Sequence, residues 1–184
     1  MTEISLHILD IAQNSIKADA KLIEISVAED IQKNILSVTI KDDGCGMSSE
    51  FLKDVTNPFR TTRTTRRVGL GISMFKSAAE LTGGKFEIHS EPGKGTELTA
   101  EFVYDSIDRQ PLGDMVSTMI TLINAKPDID YLYIHSFNDN KFEFDTRQIK
   151  SVLGEEISLC EPEILHWIEE NIQTETENLY GGAQ

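Results

Sequence analysis

The 184-residue chain predicts an α+β fold built on a mixed sheet. Three patterns support that class. Apolar residues recur at helical spacing in four separate stretches, two-residue alternation marks strands between them, and breaks rich in Gly, Asp and Asn separate the two kinds of segment. Hydrophobic residues make up 39% of the chain, enough for a packed core and too many for a disordered one.

Ile4, Ile8, Ile11 and Ala12 define one side of a helix over 3–18. Ile23, Ile25 and Val27 alternate with Glu24 and Ser26, and Leu36, Val38 and Ile40 with Ser37 and Thr39, giving two strands. Asp42-Asp43-Gly44-Cys45-Gly46 breaks the second strand, and Ser48 or Ser49 can cap a short helix to about Val55. Residues 57–69, NPFRTTRTTRRVG, have no apolar period and read as a loop. A helix follows from Leu70, with Leu70, Met74, Ala78 and Leu81 assigned to its apolar face and Gly83-Gly84 ending it. Strands over 85–90 and 96–104 are joined by the turn EPGKG.

A second part begins near Pro111. It holds an amphipathic helix (Leu112, Met115, Val116, Met119, Ile120, Ile123), a hairpin YLYIHSF–NDN–KFEFD, a short helix near 146–153 and a longer one near 161–173. The acidic tail from about Thr174 is polar and expected to fray. The expected division is therefore 1–104 and 105–184.

Net charge is −14, which argues against duplex nucleic acid or an anionic membrane as the main partner. The charge is uneven: residues 1–104 carry 15 acidic and 12 basic side chains, residues 105–184 carry 16 and 5. The acidic half reads as a solvated surface, or as a docking face for a basic partner. Two cysteines without repeated Cys/His spacing speak against a disulfide framework or a zinc site. The N-terminus lacks the pattern of a signal peptide and no apolar run is long enough to span a bilayer, so a cytoplasmic protein is expected.

Four elements carry possible chemistry. On the first helix His7, Asp10, Asn14 and Lys17 fall in one stripe opposite the apolar side. An amide there can ligate Mg²⁺, an ammonium can meet a phosphate, and a carboxylate one turn away can orient or deprotonate a nucleophile; an ordinary polar face is the plainer reading. DDGCGM follows a buried-looking strand, where an Asp can accept from an amino group and glycines let the backbone approach a flat ring, or simply make a tight turn. Gly69-Leu70-Gly71 opens a helix, a place that favours phosphate. Gly93-Lys94-Gly95-Thr96 lies between two strands and by itself is a hairpin turn.

In this order and spacing the elements resemble the N, G1, F, G2 and G3 signatures of the histidine-kinase-like ATPase superfamily (the Bergerat or GHKL group). Its members include sensor histidine kinases, anti-sigma serine kinases, Hsp90, type II topoisomerases and MutL. DIAQNSIKADA resembles the N box, IKDDGCGM resembles G1, NPFRTT the F box and start of the ATP lid, VGLGI resembles G2, and FEIHSEPGKGTEL the last strand pair. The resemblance implies a Bergerat-type α/β sandwich, a mixed sheet with helices on one face, followed by a C-terminal α/β extension.

It also implies roles. Asn14 would ligate Mg²⁺, Asp42 would accept the adenine amino group, Gly44 and Gly46 would shape the adenine pocket, and Thr96 would hydrogen-bond near adenine. Gly69, Leu70 and Gly71 would wrap the phosphates, and Lys17 would touch phosphate or ribose. Asp10 stands where family members usually carry a Glu base and is one methylene shorter; general base is its leading role, with water-mediated metal binding as the alternative. Arg60, Arg63, Arg66 and Arg67 crowd the lid with no acid among them, and Arg60 and Arg63 are candidates for phosphate contact. Phe59 would anchor the lid, and Cys45 would pack near adenine.

With 22 residues between Gly46 and Gly69, the lid resembles those of histidine kinases and anti-sigma serine kinases more than that of Hsp90. The leading expectation is a stand-alone kinase domain that uses ATP and Mg²⁺ to phosphorylate a partner protein on His or Ser/Thr. The alternatives are an ATP-dependent conformational switch with slow hydrolysis, and a non-catalytic ATP/ADP sensor. Residues 105–184 resemble the extension of stand-alone ATP-binding proteins of anaerobic bacteria. They are expected to pack on the first part and dock a protein partner, with homodimer formation as another use of the same surfaces.

Overall fold

The computed structural model describes residues 2–55, 70–154 and 157–181. Twelve elements follow in order: α1 (Ile4–Lys17), β1 (Leu22–Asp30), β2 (Ile35–Asp42), α2 (Ser49–Val55), α3 (Leu70–Leu81), β3 (Lys85–Glu91), β4 (Gly95–Val103), α4 (Met115–Ala125), β5 (Asp130–Phe137), β6 (Asn140–Asp145), α5 (Thr146–Leu153) and α6 (Pro162–Gly181). The strands form one six-stranded sheet in the order β3-β4-β2-β1-β5-β6. All neighbours are antiparallel except β1 and β5, so the sheet is mixed, as expected.

Alternation along the strands decides which face is covered. Ile23, Ile25 and Val27 of β1 point to the same side as Leu36, Val38 and Ile40 of β2 and are buried against the helices. α1, α3, α4 and α6 supply the other half of that core: Ile4, Ile8, Phe75, Met119, Leu122 and Ile168 are fully buried. Each such side chain contributes about 1.5–3 kcal/mol by leaving water.

Helix starts follow local chemistry. Ser48 accepts from Phe51 N–H (3.2 Å) and caps α2, Asp114 accepts from Ser117 N–H (2.8 Å) at α4, and Asp145 accepts from Arg147 N–H (2.9 Å) at α5. Pro162 opens α6, where a missing N–H is tolerated.

Two expectations are corrected. α3 buries Gly71, Ile72, Ser73, Phe75 and Ala79, whereas Leu70, Met74 and Leu81 are exposed. The structure keeps the helical period and shifts its phase, because α3 is apolar on both sides and the side that carries the Phe75 ring faces the sheet. The tail does not fray from Thr174. It continues α6 to Gly181, with Leu179 buried in line with Ile168 and Ile172.

The far end of the sheet from Asp42 holds a polar cluster. Glu29, only 6% exposed, accepts from His135 Nε2 (3.0 Å) and from the Tyr180 hydroxyl. The Tyr133 hydroxyl lies 2.9 Å from His135 Nδ1. Burial works to raise the Glu29 carboxyl, but the bonds from His135 and Tyr180 outweigh it and hold the group below its ordinary 4.5.

Candidate functional site

Strand register sets the floor of the site. Asp42, the last residue of β2, pairs with Ile23 on one side and Thr96 on the other. The C-terminal half of α1 reaches this end of the sheet and places Ser15 beside Asp42.

Asp42 is held through both carboxylate oxygens. Oδ2 accepts from Ser15 Oγ at 2.6 Å, and Oδ1 accepts from Gly44 N–H at 2.9 Å. Two donors of fixed position orient the acid while each oxygen keeps a further lone pair. Asp43 turns the other way and accepts from the N–H groups of Lys21 (2.7 Å) and Leu22 (2.9 Å), which fixes the start of β1.

The loop after β2 is stitched to its neighbours. Cys45 N–H donates to Ala18 O (2.9 Å), Gly93 N–H donates to Cys45 O (2.8 Å), and Met47 N–H donates to Ser90 Oγ (2.8 Å). Ser90 in turn donates to Gly95 O (2.9 Å) and lies 2.9 Å from the Thr96 hydroxyl. Two glycines are required by this closeness. Gly46 has φ +65° and a Cβ there would lie 2.0 Å from Glu91 O; Gly95 has φ +93° and its Cβ would lie 1.9 Å from Asp42 O. The loop and the β3–β4 turn therefore touch backbone to backbone, next to Asp42 and Thr96.

On α1, Asp10 and Asn14 are half-buried and Lys17 is exposed. The Asp10 carboxylate lies against the start of α3: a Cβ on Gly71 would come within 1.7 Å of Asp10 Oδ2. An anion at that end of a helix is favoured by the free N–H groups and dipole. His7, placed by its spacing on the polar stripe, is instead buried, because α3 packs along that side of α1. Its ring stacks on Phe75 (centroids 5.3 Å apart), and Nε2 lies 3.1 Å from Gln110 Oε1. Burial holds its imidazole below the ordinary 6.5, against the Gln110 bond.

The fold thus gathers Asp42, Gly44, Gly46 and Thr96 at one sheet end, and sets Asp10 against Gly71 one helical layer away, with Asn14 one turn along α1 from Asp10. Leu70, at the start of α3, is exposed. Arg60, Arg63 and Gly69, like Phe59, Arg66 and Arg67, lie outside the described residues. Ser15, Ser90 and Gln110 have no individual role in the sequence reading; Ser15 and Ser90 lie inside the motifs DIAQNSIKADA and FEIHSEPGKGTEL, and Gln110 lies in neither.

The grouping matches a known family. Residues 2–106 fit the family model described as "Histidine kinase-, DNA gyrase B-, and HSP90-like ATPase". The chain belongs to that family. Among relatives of this family, a putative sensor protein of Shewanella frigidimarina is 35% identical over 101 residues, which are 54% of this chain and 15% of that protein. The sensor histidine kinase YvrG of Bacillus subtilis is 31% identical over 93 residues, 48% of this chain and 16% of the kinase. The chain therefore spans a small part of the length of the curated relatives it matches. A crystal structure of the N-terminal domain of a DNA repair protein shares the fold, with a TM-score of 0.54 at 13% identity over 84% of this chain and 58% of that one. Among the described residues no helix is long and apolar enough to cross a membrane.

Proposed function

We propose that the chain binds ATP with Mg²⁺ and transfers the γ-phosphoryl group to a separate protein. The observation that carries this reading is the doubly held Asp42 carboxylate, an acceptor fixed at 2.6 and 2.9 Å from Ser15 and Gly44 in a floor of close-packed glycines. A fixed acceptor beside side-chain-free backbone suits the exocyclic amino group of adenine. Family membership and the sensor-kinase relatives support the same direction.

The remaining residues take roles by chemistry. Asn14 offers an amide oxygen to Mg²⁺, which when bound offsets phosphate charge. Lys17, Arg60 and Arg63 supply cations for phosphate, and Gly69, Leu70 and Gly71 supply backbone N–H groups at the start of α3. Asp10 accepts the proton of the attacking hydroxyl or imidazole as its new bond to phosphorus forms and the bond to the ADP oxygen breaks. The division into an ATP-binding part (1–104) and an extension (105–184) that docks the partner belongs to the same proposal.

The test is titration calorimetry with Mg-ATP, followed by labelled phosphate transfer with wild type and Asp10→Asn. Asp10→Asn is expected to bind ATP normally and to lose about a hundredfold or more in transfer. Full activity in that variant would remove Asp10 from the reaction. Phosphate release without an acceptor would favour a hydrolytic switch over a kinase, and absence of ATP binding would end the proposal.

A further inference from the structure

The helix that carries Asp10, Asn14 and Lys17 has no side-chain cap of its own at its N-terminus. Glu3 at its N-cap makes no side-chain cap bond. The N–H groups of Ile4 and Ser5, which a helix start leaves unpaired, donate instead to Pro111 O (3.0 Å) and Leu112 O (2.7 Å). Both carbonyls come from a segment beyond the family match at 2–106. Gly113 lets that segment lie flat on the helix: its φ is +82°, and a Cβ there would stand 2.3 Å from Ser5 Oγ.

The same segment reaches one turn further. Gln110 Oε1 accepts from His7 Nε2–H at 3.1 Å, and the His7 ring stacks on Phe75 of α3. Asp10 meets Gly71 one turn along both helices. The helices run antiparallel here, so the contacts 7/75 and 10/71 are successive rungs of one interface. A residue rises about 1.5 Å along a helix, so fixing the rotation and slide of the first rung fixes the second. Packing alone does not explain the imidazole. His7 is 1% exposed and its Nδ1 has no hydrogen-bond partner among the described residues, a cost that an apolar ring would avoid.

We infer that residues 110–113 form a strap that sets Asp10 against the start of α3 through His7, making the segment beyond the family domain part of the catalytic apparatus. This rests on the role of Asp10 proposed above. His7 is a positioning residue: it acts on Asp10 through the helix and touches no substrate.

The experiment uses the full chain. Gln110→Met removes the acceptor at similar side-chain length, and Gln110→Glu keeps one. Gln110→Met is expected to bind Mg-ATP within about threefold of wild type, to turn over about ten- to hundredfold more slowly, and to be restored by Gln110→Glu. Unchanged turnover in Gln110→Met, or equal loss in both variants, overturns the strap. If wild type fails to bind Mg-ATP, the proposed function falls, and the strap is then decided by hydrogen exchange. In Gln110→Met the amides of Ile4 to Asp10 are expected to exchange about tenfold faster than in wild type. Unchanged exchange overturns the strap on its own.

Discussion

Asp42→Asn changes one atom and inverts one hydrogen bond. In wild type, Oδ1 accepts from Gly44 N–H and Oδ2 from Ser15 Oγ. The asparagine oxygen can keep the Gly44 bond, which puts an NH₂ group where Oδ2 was. Ser15 can rotate its hydroxyl to accept from that group, so the fold keeps both partners and the melting temperature should shift by only a few degrees. The adenine amino group, assigned here to the free lone pair of Oδ2, by contrast now faces a donor. Loss of one charge-assisted bond is worth about 1.5–3 kcal/mol, or about 10- to 150-fold in Kd. Guanine presents an oxygen at the equivalent place, so GTP should not weaken in step and the preference for ATP over GTP should narrow. Titration calorimetry with both nucleotides reads the two effects. ATP affinity within about twofold of wild type, or equal losses for ATP and GTP, would refute the assignment of Asp42 to adenine.

Asn14→Ala should leave ATP affinity the same with Mg²⁺ as with chelator; a full metal effect in the variant, seen by the same titration, would place the metal elsewhere. Gly46→Ala forces a Cβ to within 2.0 Å of Glu91 O at φ +65° and should cost about 2–4 kcal/mol in urea unfolding, with a loss under about 1 kcal/mol contradicting the close approach. Glu29→Gln should lower stability at neutral pH by about 1–3 kcal/mol. Because the folded-state carboxyl titrates below its ordinary 4.5, the stability it contributes is fully present above that value and is lost as pH falls through the lower, folded value. Wild type should therefore lose stability on acidification more steeply than the variant, and parallel urea-unfolding curves would rule this out.

Local pattern carried most of the fold and part of the site. Alternation in β1 and β2 named the buried residues directly, because one face of each strand meets helices and the other meets solvent. α3 shows where pattern is ambiguous: Leu70, Met74 and Leu81 compete with Ile72, Phe75 and Ala79 for the core, and only the sheet beneath decides. The end of α6 was hidden because Thr174 to Asn178 contains no apolar residue to carry the period on to Leu179. In the site, Asp42 and the glycines beside it announce themselves by a break after a strand. Ser15 and Ser90 do not, since a hydroxyl inside a helix or strand has no periodic signature and gains its meaning from register. The parallel partnership of β1 with β5, and the reach of Gln110 to His7, are contacts across about a hundred residues that no local window can contain.

That parallel partnership has a consequence for synthesis. β1 finds β2 at once, through a short hairpin, but its other neighbour runs from Asp130 to Phe137. Until that stretch leaves the ribosome, the amides and carbonyls of Leu22–Glu29 that face away from β2 lack their β5 partners, and the start of α1 waits equally for Pro111 and Leu112. The nascent N-terminal half thus exposes an unpaired strand edge for the time needed to make the remainder, a state open to pairing with other chains. Closing so long a loop late also slows folding of the finished chain, and makes the last third of the sequence the step that commits the first third to its shape.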